Sequence, residues 1–385
     1  MTLSRDADAQ GGLESVTATG RVDSLTGIRA VAALLVVLTH AAYTTGRYGQ
    51  GYVGLVFSRM EIGVPIFFVL SGFLLFGPWV NACAAGTPAP SVRRYAWHRV
   101  RRIMPAYVVT VVAAYLVYHF RTAGPNPGHT WEGLARNLTL TQIYTDNYLY
   151  SFLHQGLTQM WSLAVEAAFY VALPAMAYLL LVVLCRRRWR PGLLLAGLAA
   201  ASLISPAWLT LVHTTDFLPD GARLWLPGYL AWFIGGMVLA VLVPLRVRAY
   251  ALVCLPVVVV SYLIVSTPIG GEPTTSPALL WEALAKTVFY AVIATLMVAP
   301  LALGTQDGLY ARLMASRPMV FLGEISYEIF LIHLVTMELV MVEVLHYPIY
   351  NGSVWLLFVG TLVVTVPLAW LLHRCTRVRP TVRSS

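Results

Sequence analysis

The sequence predicts an all-α fold: a polytopic transmembrane helical bundle of about ten helices, with both termini in the cytoplasm. Three observations predict it. Apolar residues make up 58% of the 385, charged residues only 11%, and the mean hydropathy is +0.71. A water-facing surface needs far more polar area than that. Uncharged runs long enough to cross a hydrocarbon core of roughly 30 Å recur along the whole chain, whereas a barrel would show short alternating segments. The basic residues, finally, crowd onto every second connection.

The elements follow in chain order. A first span near 25–45 holds RAVAALLVVLTH. A second near 62–81 holds GVPIFFVLSGFLLF, whose Gly63, Ser71 and Gly72 are small enough to let helices close on one another. The third, near 103–120, is opened by HRVRRIMPAY, with Pro105 suited to a first helical turn. The fourth, near 161–184, begins MWSLAVEAAFY. Four apolar runs follow near 192–212, 224–245, 249–267 and 281–303. SYEIFLIHLV then lies within 319–345, and a last run covers 352–373.

This division leaves 19 of the 26 Lys and Arg residues on one set of loops and five on the other, with Arg29 and Lys286 near span ends. The positive-inside bias places the rich set, and both termini with it, in the cytoplasm. The formal charge of +9 is therefore topological, and nucleic-acid binding is excluded. One membrane domain is expected over 22–375, between short tails at 1–21 and 376–385, with no appended soluble domain. Residues 1–20 lack the positive start and short apolar core of a cleaved leader, so the first span is expected to be retained. Cys83, Cys185, Cys254 and Cys375 fall near cytoplasmic span ends without metal spacing, which predicts free thiols and no metal site. The longest external stretch, 121–160, carries Pro125, Pro127, Tyr144, Asp146, Tyr148, Tyr150 and His154. Its aromatic content predicts an ordered binding surface. The sequon Asn137-Leu138-Thr139 within it reads as chance.

Ionisable side chains inside apolar spans carry the chemical signal, because each is costly there and faces a cavity or a partner. Arg29 and His40 are eleven residues apart, which returns them to within about 20° on one helix face and separates them by about 16 Å. Arg29 alone also fits an arginine snorkelling to lipid phosphates, and His40 alone fits a neutral histidine bonded to a neighbouring helix. Glu166 lies about 8 Å below the outer end of the fourth span, a depth that His40 and His333 share. A His–carboxylate pair in that layer would serve as a general base. Glu324 and Glu328 are expected as structural partners of inner arginines. Arg99 and Arg102, spaced i, i+3, project together and suit either a phosphorylated ligand or anionic lipid. Ser71 has no nucleophile-elbow pattern and reads as a packing residue.

These blocks together resemble the acyltransferase 3 family of integral-membrane acyltransferases, over about residues 22–375. The resemblance is carried by SLTGIRAVAALLVVLTH, GVPIFFVLSGFLLF, RVRRIMP, MWSLAVEAAFY and SYEIFLIH, in that order. Pro65 stands where many relatives have aspartate, and Thr26-Gly27-Ile28 stands where they tend to have Asp-Gly-Leu. The resemblance implies O-acyl transfer, often of acetyl, from cytoplasmic acyl-CoA to a hydroxyl of a cell-envelope saccharide or glycolipid, in the cytoplasmic membrane. It implies His40 and Glu166 as catalytic residues and Arg29, Arg99 and Arg102 as the acyl-CoA site. His333, Ser71, Trp161 and Tyr327 are expected to line that site. No cofactor is expected beyond acyl-CoA as co-substrate, and the partners are that donor, the acceptor and the bilayer. Two alternatives stand beside this reading: a macrolide-like acceptor, and a proton-coupled transporter or flippase.

Overall fold

A computed structural model describes residues 22–121, 125–146, 148, 153–274 and 277–377. The expected tails lie outside these residues apart from Thr376 and Arg377, and Tyr150 lies outside them too. Among the described residues the chain is helical, with no strand. The helices are α1 Asp23–Thr44, α2 Gly51–Ser58, α3 Gly63–Ala85, α4 Val92–Phe120 and α5 Trp131–Leu138. Next come α6 Met160–Ala177, α7 Pro191–Ser202, α8 Ile204–Thr214, α9 Leu226–Leu242 and α10 Ala251–Val265. The last five are α11 Leu280–Leu303, α12 Leu309–Met314, α13 Arg317–Glu324, α14 Ser326–Leu339 and α15 Val354–Thr376.

Eight helical segments among the described residues are long and apolar enough to cross a membrane, or nine if one bent pair counts as a span. The chain is a multi-pass membrane protein. The expected count of about ten is revised at two places. The run at 249–267 yields only α10, whose 15 residues rise about 22 Å and fall short of a core of roughly 30 Å. Extended Tyr250 opens it, and Thr267-Pro268 follows its end, so the apolar run outlasts the helix. The run at 319–345 is bent by 70° between α13 and α14. The bend falls at Ile325, where Ser326 donates its hydroxyl to the Gly323 carbonyl at 2.9 Å.

A third revision concerns the arginine cluster. The third span was expected to start at 103 with Pro105 in its first turn. Instead α4 starts at Val92, where Ser91 caps it by accepting from the Arg94 amide at 3.4 Å. Pro105 is therefore interior, and Arg93 to Arg102 ride on the helix. The serine cap outweighs the proline as a start signal.

α1 shares with α9 the most buried place among the candidate spans. Its apolar window is 67% buried, against 28% for Met160–Leu184 and for α15. It packs on α3, α13, α14 and α15. The tightest helix pair is α3 with α9. A methyl on Gly236 would sit 1.8 Å from the Val69 carbonyl oxygen, and one on Gly72 would sit 2.0 Å from that of Phe233. Only glycine permits that approach, which lets backbones touch where lipid offers no hydrophobic drive. Beside it Phe233 stacks between Phe68 and Phe169, with ring centroids 4.2 and 4.0 Å away.

Candidate active site

The start of α1, the end of α3, the start of α4, the start of α14 and the end of α15 meet at one face of the bundle. Between them lies a cleft of about 1050 Å³. Its wall carries Arg94, His98, Arg99, Arg101 and Arg102 from α4, Arg29 from α1 and His373 from α15. The residues arrive together because α4 begins early: about two and a half turns of its basic end, from Arg94 to Arg102, line the opening. A second cavity of about 280 Å³ continues inward, sharing Arg29, Arg99, Arg102, Leu74 and Tyr327 with the cleft. Its far part is apolar, with Phe67, Phe68, Leu163 and Phe330, and it also holds Ser71, Glu166 and Tyr170.

The expected arginines thus converge on one cavity. Arg29 and Arg99 are half-buried and Arg102 is exposed at the cleft. Arg29 lies within electrostatic reach of Arg102, Glu166 and Glu328. It makes no hydrogen bond or ion pair among the described residues, and Arg99 Nε is buried without a partner. Three guanidiniums on one cavity, with donors to offer, have the chemistry to hold an anion. Tyr327 donates its hydroxyl to the Ile103 carbonyl at 3.1 Å, fixing α14 to α4 at the cavity wall.

Glu166 is held by two hydroxyls, those of Ser71 on α3 and Tyr170 one turn further along α6. It does not pair with His40. The His–carboxylate contact expected from their common depth is replaced by a pair of histidines. His40 Nδ1 donates to the Val36 carbonyl at 2.7 Å, and His333 Nε2 lies 3.3 Å from that same Nδ1. His333 is fully buried and gives its own Nδ1–H to the Phe330 carbonyl at 2.8 Å. Equal depth along two helices fixes height and leaves azimuth free, which is why the carboxylate faces the arginines and the imidazole faces α14.

Phe330 joins the two halves. Its ring lines the inner cavity, meets Phe67 at 6.3 Å and meets the His333 ring at 5.9 Å between centroids. Trp161 does not line either cavity; it packs on Tyr229 at 5.1 Å. Glu328 pairs with His373 at 2.9 Å rather than with an arginine, although it too reaches Arg29 electrostatically. Glu324 lines the wide cleft. Asn137 of the sequon is buried, its amide donating to Gly133. The four cysteines are free.

Tyr170, Phe330 and His373 were missed in the sequence. Tyr170 stands four residues after Glu166, a spacing that puts both on one helix face and could have found it. Phe330 and His373 carry no such signal, since an aromatic in an apolar span and a histidine at a span end are common.

The profile of a family described as "Acyltransferase domain" matches residues 22–374. The chain belongs to the acyltransferase 3 family. Three curated relatives, each named a putative O-acetyltransferase, come from Staphylococcus aureus strains COL, MSSA476 and MRSA252. The first is 24% identical over 196 residues, covering 47% of this chain and 29% of the relative. The other two are 24% identical over 193 residues, covering 46% of this chain and 28% of each relative. The matched region is thus less than a third of the length of these relatives. No solved structure matches the chain significantly. Within this acyltransferase 3 chain Phe330 both lines the inner cavity and packs on His333, whereas His40 and the expected lining residue His333 line neither cavity.

Proposed function

We propose that this protein is a membrane-embedded O-acyltransferase that moves an acyl group from acyl-CoA to a hydroxyl of a cell-envelope saccharide or glycolipid. The observation that carries the reading is the convergence of Arg29, Arg99 and Arg102 on a cavity whose apolar inner end is lined by Phe330, the ring that packs on His333. Coenzyme A has the matching shape: an anionic nucleotide, a slim arm and a thioester at its tip. Its phosphates sit in the wide cleft, where Arg94, Arg99, Arg101 and Arg102 offer bidentate donors. Its arm follows the inner cavity past Ser71 and Glu166. The basic cleft faces the cytoplasm, the side favoured by the charge bias.

The chemistry follows from the tautomer of His40. Nδ1 keeps its proton on the Val36 carbonyl, so Nε2 presents the lone pair. Nε2 accepts the proton of the acceptor hydroxyl as its oxygen attacks the thioester carbonyl. The tetrahedral intermediate collapses, the C–S bond breaks, and the thiolate leaves with the proton returned by the imidazolium. An ester and free coenzyme A result, and no electrons are exchanged. The acceptor arrives from the face opposite the cleft.

Comparative mass spectrometry of envelope glycans and lipids, with and without the gene, tests the reading. A species lighter by one acyl unit in the deletion strain is the expected result. An unchanged envelope, together with no coenzyme A release by the purified enzyme, would overturn it. Label appearing instead on a macrolide-like product would keep the chemistry and change the acceptor.

A further inference from the structure

With Glu166 turned to the arginines, the charge that supports His40 must come from elsewhere. A cluster that the spacing of the sequence does not mark lies on the other side of His40. The 3-10 turn Arg59–Ile62 leads into α3 and carries Arg59 and Glu61. Arg59 is fully buried and given over to backbone: Nε donates to the Val265 carbonyl at 3.0 Å, and its other nitrogens donate to Gly271 and Glu272. Lys286 on α11 is buried too, ion-paired with Glu61 and donating to the Thr274 carbonyl at 2.5 Å. Tyr290 donates its hydroxyl to Glu61 Oε1 at 2.9 Å. Both partners use Oε1.

The turn is pressed onto α1 just below His40. A methyl on Gly63 would sit 2.2 Å from the Ala32 carbonyl oxygen. Thr39, next to His40 in the chain, donates its hydroxyl to the Phe57 carbonyl at 2.9 Å. Tyr48 closes the corner at 2.6 Å from the same hydroxyl. Glu61 is the carboxylate of this cluster and lies within electrostatic reach of the His40 imidazole. With Lys286 buried and Glu61 mostly so, the pair is costly to desolvate and contributes little net stability, so its place beside α1 calls for a role.

We propose that Glu61 is the positioning residue for His40. Its carboxylate stabilises the imidazolium while the histidine holds the acceptor proton, and Lys286 with Tyr290 keeps it in place. The inference rests on the reading of His40 as the base.

Glu61→Gln alone leaves Lys286 buried without its counter-charge and destabilises the fold by itself. The deciding protein is the double variant Glu61→Gln/Lys286→Met, which removes both charges at similar volume. Transfer of label from radiolabelled acetyl-CoA to native acceptors is followed in membranes. The double variant should insert and melt like the wild type and keep its KM for acetyl-CoA, while kcat falls by about tenfold, a part of the loss that removal of the base itself brings. Glu61→Asp should recover part of the rate and show a larger solvent deuterium effect on kcat. A double variant with the wild-type kcat would overturn the proposal, because Glu61 would then serve only to neutralise Lys286. A wild type that transfers no label would overturn the base reading, and the inference with it.

Discussion

His333 Nε2 lies 3.3 Å from His40 Nδ1, and the Val36 carbonyl lies 2.7 Å from that same nitrogen. Two acceptors around one Nδ1–H leave His40 Nε2 as the basic atom. His333 is thereby a positioning residue. His333→Leu should lower kcat by roughly fivefold with KM unchanged, the loss of one hydrogen bond of about 1 kcal/mol. Steady-state kinetics in detergent check this, and a raised KM with normal kcat would place His333 in donor binding instead.

Arg102 and Arg99 should act on the nucleotide end of the donor. Arg102→Ala should raise KM for acyl-CoA between about tenfold and a hundredfold, as a lost charge-assisted hydrogen bond of about 1.5–3 kcal/mol requires. The same variant should leave turnover of an acyl-pantetheine, which lacks the nucleotide phosphates, unchanged. Equal loss on both substrates would assign Arg102 to folding or lipid contact.

Phe330 separates the arginine cavity from the histidines. Phe330→Ala should open a path for water, so that more thioester is hydrolysed for each acyl group transferred. The ratio of coenzyme A released to acyl transferred should rise severalfold. The cavity left behind should cost about 3–5 kcal/mol of stability, so the ratio is measured below the melting range. An unchanged ratio would mean that Phe330 is packing only.

The 125–160 region has its own histidine pair, His154 with His129 at 3.2 Å; His129 stacks on Tyr115 and His154 packs tilted against the same ring. Burial first, and the charge of His129 second, lower the His154 pKa to about 3. The unfolded chain therefore binds more protons than the folded one between about pH 6.5 and 3. Stability should be full above pH 6.5 and decline as pH falls through that window. His154→Leu should flatten the decline, read as Tm against pH. A Tm that rises on acidification would contradict the assignment.

Much of this architecture was legible in the sequence. The apolar runs at α1, α3, α6 and α15 show themselves by length alone, and Arg29 and His40 by their cost in hydrocarbon. The misreadings come from features that composition does not encode. α4 starts at Val92 because Ser91 caps it, and the hydropathy window begins only at Ile103. The 70° bend at Ile325 goes with the packing of α13 on α1, where Gly323 closes on the Thr26 carbonyl, and a lone glycine in an apolar run does not by itself announce a bend. Glu166 and His40 share a depth that spacing gives, but which neighbour each faces depends on the rotation of three helices. Glu61 and Lys286 went unread because each lies near a span end, where a charge ordinarily means only the interface.

The central claim is that His40 takes the acceptor proton, and one measurement addresses it most directly. Membranes carrying His40→Ala at wild-type abundance and with a wild-type melting profile are given radiolabelled acyl-CoA, and label in the lipid and glycan fractions is counted. The account predicts that acyl-CoA still binds through the arginine cavity while transfer falls by about a hundredfold or more. Transfer at the wild-type rate would contradict it.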